Sequence, residues 1–196
     1  MISKIIVTIF SLLILLGNLE AVTLKGVVEG GKKLKKNQAI VYLTGSFKSE
    51  VKSQKQPILD QQNMAFKPHV LPISIGTTVA FLNSDEVRHN VYSPDKEQYN
   101  LGSWPKGEKK TYEFKQKGVY TQLCNVHPEM ESFIVVLDSP YYDLTDKKGR
   151  FEIKGLPPGN YTVRVWHEKL RFKKQKIIIG KPDLPISEIS GPFVTL

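Results

Sequence analysis

The sequence of 196 residues contains one cysteine, Cys124. A single cysteine excludes an intramolecular disulfide framework and any zinc or iron–sulfur site that is built from several thiolates. Sustained 3.6-residue periodicity is also missing, so no part of the chain predicts a long amphipathic helix. Gly-x-Ser-x-Gly and His-Glu-x-x-His motifs are absent, and with them the signatures of common hydrolases. Hydrophobic residues at 40% and charged residues at 24% exclude a disordered chain and a polytopic membrane protein.

The longest apolar run lies at the N-terminus. Met1-Ile-Ser-Lys4 precedes an apolar stretch from Ile5 to Leu16, and a polar stretch then ends at the small residue Ala21. This order of a positive end, an apolar core and a small residue predicts a secretory signal peptide over residues 1–21. The apolar core is short for a membrane span, and an uncleaved anchor is the alternative. We expect the mature protein to be secreted or periplasmic.

The rest of the chain predicts an all-β protein. Short runs with alternating apolar residues are separated by turn sequences rich in glycine, proline, asparagine and aspartate. Many short strands with such spacing are typical of β-sandwiches and barrels. The predicted strands are Thr23–Val28, Ala39–Leu43, Thr78–Leu82, His89–Tyr92, Lys110–Phe114, Val119–Cys124, Phe133–Leu137, Arg150–Lys154, Tyr161–Trp166 and Lys176–Ile179.

The positive charge is concentrated at the two ends of the mature chain. The formal net charge of +9 consists of +4 in residues 22–50, zero in residues 51–139 and +5 in residues 140–196. A basic protein suggests nucleic acid or an anionic surface as its partner. Because an exported protein does not meet bulk nucleic acid, we expect no nucleic-acid partner. We expect the two basic flanks to face an anionic cell-envelope surface instead.

Four segments of these flanks follow one another in the order of a known β-domain: Thr23–Val28, Ala39–Leu43, Asp146–Phe151 and Leu156–Tyr161. They resemble the opening strand pair, the Asp/Gly turn and the Leu-Pro-Pro-Gly-x-Tyr turn of transthyretin-like, carboxypeptidase-regulatory-type domains. The resemblance implies a discontinuous β-sandwich of residues 22–50 and 140–196, into which residues 51–139 are inserted. The alternative is two unrelated β segments that flank one larger barrel.

Four residues in the neutral middle have the side chains of a type 1 (blue) copper site: His89, Cys124, His127 and Met130. A thiolate and two imidazoles in a trigonal plane suit both Cu(I) and Cu(II), and a thioether adds a weak axial bond. Cys124 ends a predicted strand, and the loop after it carries His127 and Met130 back to the same ion. His89 then has to come from a neighbouring strand end. Each residue alone is more often core or surface than ligand, but the four in this order predict a copper site.

The sequence around these residues resembles the cupredoxins, in particular plastocyanin and amicyanin. Its Cys-x-x-His-x-x-Met spacing is that of the amicyanin ligand loop. The resemblance covers about residues 56–138, within a predicted domain of residues 51–139, and implies a Greek-key β-sandwich with one type 1 copper ion. It also implies that Asn90 ties the two ligand segments together by hydrogen bonds, and that electrons pass through the exposed edge of His127. The matching motifs are Phe66-x-Pro68, Ile73-x-x-Gly76-Thr-Thr-Val79-Ala-Phe81-x-Asn83-x-Asp85, His89-Asn90-Val91 and Gly118-Val-Tyr120-Thr-Gln-Leu-Cys124.

These features predict an exported type 1 copper protein that carries single electrons between extracytoplasmic redox partners, such as a c-type cytochrome or a dehydrogenase. A filled ligand set leaves no open metal position for a substrate, so we expect no enzymatic activity. The alternatives are a periplasmic copper-binding or delivery protein, and a surface-binding structural module with a secondary copper site. Two histidines stay outside the predicted site: His69, as a surface residue or a partner contact, and His167, to which no role is assigned.

Overall fold

The computed structural model describes residues 22–29, 32, 34, 37–45, 55–172 and 174–179. The predicted signal peptide therefore lies outside the described residues. Fifteen β-strands are present in this part of the chain, and they confirm the all-β class. None of the described residues lies in a helix long and apolar enough to cross a membrane. The strands are β1 (Val22–Val27), β2 (Ile40–Gly45), β3 (Ile58–Gln61), β4 (Phe66–Lys67), β5 (Val70–Ser74), β6 (Thr77–Asn83), β7 (His89–Ser93), β8 (Tyr99–Trp104), β9 (Lys109–Phe114), β10 (Gly118–Leu123), β11 (Glu131–Leu137), β12 (Tyr142–Leu144), β13 (Arg150–Leu156), β14 (Gly159–Trp166) and β15 (Gln175–Ile179).

Nine strands from the middle of the chain form two sheets, which we call the middle sandwich. The first sheet has the order β5-β11-β10-β7-β8 and the second has the order β4-β3-β6-β9. β5 runs parallel to β11 and β3 runs parallel to β6, while the other pairs are antiparallel. Because side chains alternate along a strand, every second one points between the sheets. The buried core there is rich in aromatic residues and includes Phe81, Trp104, Phe114 and Tyr120.

The strands of the two flanks pair with each other, and we call their two sheets the flank sheets. One consists of β1 and β13, and the other has the order β12-β2-β14-β15. Phe151, Tyr161 and Val163 are buried in the core that these sheets share, as their alternation predicts. Gly149, just before β13, has a φ of +83°, and a Cβ there would lie 2.1 Å from the carbonyl oxygen of Val28. Only glycine fits this turn.

The sheet β12-β2-β14-β15 is covered on both faces. On one face, Leu43 of β2 lies in the core that is shared with β1 and β13. On the other face, Ile40 of β2 packs with Val70 of β5 and with Val135 and Leu137 of β11. Burial of one such aliphatic side chain contributes about 1.5–3 kcal/mol. The flank sheets and the middle sandwich are therefore joined by an apolar interface.

All ten predicted strands are present, and their ends differ from the prediction by at most two residues. The prediction omitted β3, β4, β5, β8 and β12. Pro72 in β5 and Gly102 in β8, with a φ of +75°, interrupt the sequence pattern on which strand prediction depends. The other three strands have only two to four residues. The predicted bounds of the discontinuous domain, 22–50 and 140–196, extend beyond the described residues and stay a prediction.

Candidate metal centre

The four predicted ligands lie at one end of the five-stranded sheet of the middle sandwich. His89 begins β7, Cys124 directly follows β10, and His127 and Met130 lie in the loop between β10 and β11. β10 pairs antiparallel with both β7 and β11, so the end of β10 is next to the start of each neighbour. The Met130 amide donates a hydrogen bond to the His127 carbonyl oxygen at 3.0 Å. This bond turns the ligand loop back toward the sheet.

Three potential ligand atoms converge at this end. The Nδ1 atoms of His89 and His127 are 2.9 Å apart, and Sγ of Cys124 is 3.8 Å from Nδ1 of His127. All three atoms lie within 4.8 Å of one another. Met130 is 1% exposed and packs in the same core cluster as Cys124. One sulfur and two imidazole nitrogens that face the same point match the donor set of a type 1 copper site.

Asp85 sets the orientation and the tautomer of the His89 ring. Nε2 of His89 lies 2.9 Å from Oδ2 of Asp85, and a carboxylate accepts hydrogen bonds, so Nε2 carries the proton. The neutral imidazole then has its lone pair on Nδ1, the atom that faces the other ligands. Burial raises the pKa of Asp85, but hydrogen bonds from the Met64 and Asn63 amides and from His89 more than compensate. They hold this pKa below its usual range.

Two further segments fix the position of Asp85. Its Oδ1 and Oδ2 accept hydrogen bonds from the amides of Asn63 (2.7 Å) and Met64 (2.9 Å), both of which have a φ of 56° in the turn between β3 and β4. The side chain of Asn83 accepts a bond from the Asp85 amide (3.0 Å) and donates one to the Trp104 carbonyl oxygen (2.9 Å). A connected set of hydrogen bonds thus holds the loop that precedes His89.

Asn90 makes the tie between the two ligand segments that the cupredoxin resemblance implies. Its Oδ1 accepts a hydrogen bond from the Asn125 amide at 3.4 Å. Its Nδ2 donates to Oδ1 of Asn100 (2.8 Å) and to the Gly102 carbonyl oxygen (2.9 Å) in β8. The start of β7 is therefore bonded both to the edge of the sheet and to the loop that follows Cys124.

His127 differs from the other predicted ligands in its exposure. His89, Cys124 and Met130 are buried, whereas His127 is half-buried. Within the described part of the chain, the hydrogen-bond contacts of His127 involve its Nδ1 and not its Nε2. The ring of His127 therefore uses its Nδ1 side for the contacts within the site.

Apolar side chains are exposed on three loops near this end of the molecule. Val126 is 56% exposed, Val87 is 47% exposed and Met64 is 39% exposed. They belong to the ligand loop, to the loop before His89, and to the turn that is bonded to Asp85. Exposed apolar groups around a functional site are typical of surfaces that dock another protein.

The residues present fit copper better than a hard cation. Calcium and magnesium require oxygen ligands, whereas a thiolate and imidazoles suit copper. Both oxygens of Asp85 are taken up by N–H donors. Glu129, the acidic residue within the ligand loop, is exposed.

The other two histidines lie outside this cluster. His69 bonds within the molecule: its Nε2 is 2.7 Å from Oε2 of Glu168, and its Nδ1 is 3.2 Å from the Glu131 carbonyl oxygen. His167 is buried, and its Nε2 lies 3.2 Å from the Asn37 carbonyl oxygen. Neither contact was predicted from the sequence, and neither was the role of Asp85. An acidic residue four positions before a ligand histidine is a usable signal, because carboxylates commonly orient metal-bound imidazoles.

Comparison with known proteins supports a copper-binding domain in the middle of the chain. A family model described as copper binding proteins, plastocyanin/azurin family, matches residues 54–137. Comparison with curated proteins gives no match. The chain is similar to a purple cupredoxin from Nitrosopumilus maritimus, with 26% identity over 41% of this chain and 99% of that chain and a TM-score of 0.39.

Two other solved structures are similar over part of the chain. One is an amicyanin mutant in the oxidized state, with 25% identity over 41% of this chain and 81% of that chain and a TM-score of 0.39. The other is a copper-containing nitrite reductase from Thermus scotoductus SA-01, with 26% identity over 47% of this chain and 25% of that chain and a TM-score of 0.41.

The family match and the geometry concern the same residues. The matched range contains all four predicted ligands, and three of their donor atoms lie within 4.8 Å of one another. The flank sheets lie outside the matched range. Residues 54–137 therefore match a copper-binding cupredoxin domain, and their donor set fits copper as its cofactor.

Proposed function

We propose that this protein is an exported electron carrier in which His89, Cys124, His127 and Met130 hold one type 1 copper ion. The observation that carries the proposal is the convergence of two Nδ1 atoms and one Sγ within 4.8 Å, at a site where three of the four residues are buried. Bound copper supplies a Cu(I)/Cu(II) couple that accepts and releases one electron.

The residues around the ligands support this function because they restrict movement of the donor atoms. Asp85 keeps the proton of His89 on Nε2 and so directs the Nδ1 lone pair into the site. Asn90 bonds the segment of His89 to the loop that follows Cys124. Ligands that are held by packing and by such hydrogen bonds stay in one arrangement when the charge of the site changes.

Electron exchange takes place at the edge of His127 in this proposal. This ring is the half-exposed one, and Val126, Val87 and Met64 are exposed on loops at the same end. A small apolar surface suits weak, short-lived docking. The partners would be extracytoplasmic redox proteins, such as a c-type cytochrome or a dehydrogenase.

The same burial favours electron transfer over the alternatives. A four-residue ligand set leaves no open position for a substrate, so the protein is proposed not to be an enzyme. A copper-delivery protein passes its copper on as the ligands of the acceptor replace its own ligands one after another. Three of the ligands are 0–3% exposed here, which restricts the approach of such an acceptor to His127.

The flanks would attach the protein to its site of action. We propose that residues 22–50 and 140–196 form a discontinuous transthyretin-like domain, and that residues 1–21 direct export. The pairing of β1 with β13 and of β2 with β14 supports one unit from both flanks. Their charges of +4 and +5 support contact with an anionic cell-envelope surface.

Copper titration of the mature protein tests the electron-carrier proposal. One equivalent of Cu(II) should produce the intense visible absorption of a copper–thiolate bond, and Cys124→Ser should abolish it. Glu129→Gln, an exposed position in the same loop, is the matched control and should keep the band. A colourless wild-type protein, or a band that survives in Cys124→Ser, would contradict the proposal.

A further inference from the structure

A chain of hydrogen bonds connects the flank sheets to the segment that carries Met130. Nε2 of His69 lies 2.7 Å from Oε2 of Glu168, which follows β14, and Nδ1 of His69 lies 3.2 Å from the Glu131 carbonyl oxygen. Asn37 donates a hydrogen bond to the other oxygen of Glu168. Glu131 directly follows Met130 and begins β11. Two residues of the flanks are thus linked through one imidazole to the end of the ligand loop.

Both ring nitrogens of His69 face hydrogen-bond acceptors. Whether both bonds form at once depends on how many of the two nitrogens carry a proton. A carbonyl oxygen and a carboxylate accept hydrogen bonds, so a ring nitrogen that bonds to either of them does so through its N–H. The imidazolium form makes both bonds, whereas either neutral tautomer makes only one. Charge-assisted bonds of this kind are stronger than neutral ones. The Glu168 carboxylate supplies the compensating negative charge and is 5% exposed.

Charged side chains lie on the flank side of His69. Glu168 contacts its ring, and Lys169 lies 3.4 Å from the second oxygen of Glu168. Lys67, two residues before His69, donates a hydrogen bond to Gln62 at 3.2 Å. Burial raises the pKa of Glu168, but hydrogen bonds from His69 and Asn37 and the nearby positive charges outweigh it and hold this pKa below its usual range.

Packing around the ring holds the link in one geometry. The ring of His69 lies edge-on against Phe133, with centroids 5.6 Å apart at 88°. Phe133 in turn contacts Trp166 of β14, at 5.5 Å. The Phe133 amide also donates to the His69 carbonyl oxygen at 2.9 Å. His69 is therefore fixed both to β11 and to the flank sheets.

We propose that His69 is a positioning residue that transmits the placement of the flank sheets to the metal centre, through its bonds to Glu168 and to the carbonyl oxygen next to Met130. The flanks then have a second role beyond attachment, because they help to hold the segment of the axial ligand. This inference rests on the proposed function in one respect, the assignment of Met130 as a copper ligand.

Two variants that interrupt the hydrogen bonds of His69 and one control variant test the inference. His69→Phe keeps a ring against Phe133 and removes both N–H donors, and Glu168→Gln removes the charge at nearly constant volume. Leu144→Ala, the control, shortens a half-buried side chain of the same interface that belongs to β12 and makes no hydrogen bond to His69. Backbone amide chemical shifts of residues 127–131 are measured in the metal-free full chain. The rate of copper loss to an excess of chelator is measured in the loaded protein.

We expect both variants to shift the amides of Met130 and Glu131 and to accelerate copper loss roughly three- to tenfold, less than the 10- to 100-fold effect of groups bonded directly to a metal ligand. Leu144→Ala should change neither quantity. Unchanged shifts, shifted amides without faster copper loss, or equal effects in Leu144→Ala would each overturn the inference. A wild-type protein that takes up no copper would instead refute the proposed function, while the metal-free shifts would still report on the link.

Discussion

The two histidines of the metal centre occupy opposite environments. His89 is 0% exposed, and its Nε2 is bonded to Asp85. His127 is half-buried, and Val126 beside it is 56% exposed. In the proposed function, the buried side of the site would hold the metal in place, and the half-exposed side would present it to a partner. A protein that moves electrons needs both properties at once, since donor atoms have to stay fixed close to a surface that can be reached.

The largest effect is expected when each imidazole is removed in turn. His89→Gly and His127→Gly should both abolish the visible copper–thiolate band, because each removes one ligand of the plane. Free imidazole should restore the band in His127→Gly, where the vacated position opens to solvent. It should restore little in His89→Gly, where the position is enclosed and Asp85 loses its partner. Spectrophotometric titration with imidazole measures the rescue of both variants. Equal rescue would contradict the difference in enclosure between His89 and His127.

The His89 side of the metal centre can be weakened without the loss of a ligand. Asp85→Asn removes the negative charge that orients and polarises His89, and we expect a loss of about 10- to 100-fold in copper affinity. The reduction potential should rise, because a less basic imidazole stabilises Cu(II) less. Competition with a chelator and voltammetry measure the two effects.

Glu86→Gln is the matched control for this prediction. Glu86 is the next residue, its side chain is 84% exposed, and its ion pair with Lys106 lies on the surface. The copper affinity and the reduction potential of the Glu86→Gln variant should equal those of the wild type. If Asp85→Asn behaves in the same way as Glu86→Gln, the carboxylate does not act on the metal centre.

The hydrogen bonds that connect the flank sheets to the Met130 segment have a smaller effect, which concerns stability. The pKa of Glu168 is lowered by bonds that exist in the folded state, so its contribution to stability is present above the ordinary pKa of a glutamate. It is lost as the pH falls through the lower, folded-state value. Glu168→Gln should reduce the free energy of unfolding by about 1–2 kcal/mol at neutral pH.

The pH dependence separates this effect from a general packing defect. Urea unfolding at pH 7 and at progressively lower pH should show the difference between wild type and Glu168→Gln shrink below about pH 4. A difference that stays constant across this pH range would mean that the charge of Glu168 does not contribute to the free energy of unfolding.

Ionic strength should have the smallest effect on the exposed side of the site. The net charge of residues 51–139 is zero, while the flanks carry +4 and +5. Binding of the protein to vesicles that contain an anionic phospholipid should therefore weaken as salt shortens the screening length to about 10 Å. The rate of electron self-exchange should change less. The reverse order would contradict the separation of attachment from electron exchange.

The ligand loop was predictable from sequence because its geometry is local. Cys124, His127 and Met130 lie within one short loop, so their spacing and the strand before them largely determine where they point. His89 could be named as a candidate from the ligand set, but its position next to the loop depends on the pairing of β7 with β10, which sequence spacing does not give.

The surroundings of the ligands were not predictable in this way. Asp85 acts on His89 only because the turn at Asn63 and Met64 holds its oxygens. His69 and Glu168 are 99 positions apart, and they meet because the flank sheets stack on the middle sandwich. No short motif encodes a contact that depends on the stacking of separate sheets.

The most direct measurement of the central claim is voltammetry of the copper-loaded full chain through repeated cycles, with absorption recorded in the presence of a Cu(I) chelator. An electron carrier with three buried ligands should give a reversible one-electron couple, and its visible band should return fully after each cycle. Transfer of the copper to the chelator on the first reduction would contradict this account and would assign the protein to copper delivery.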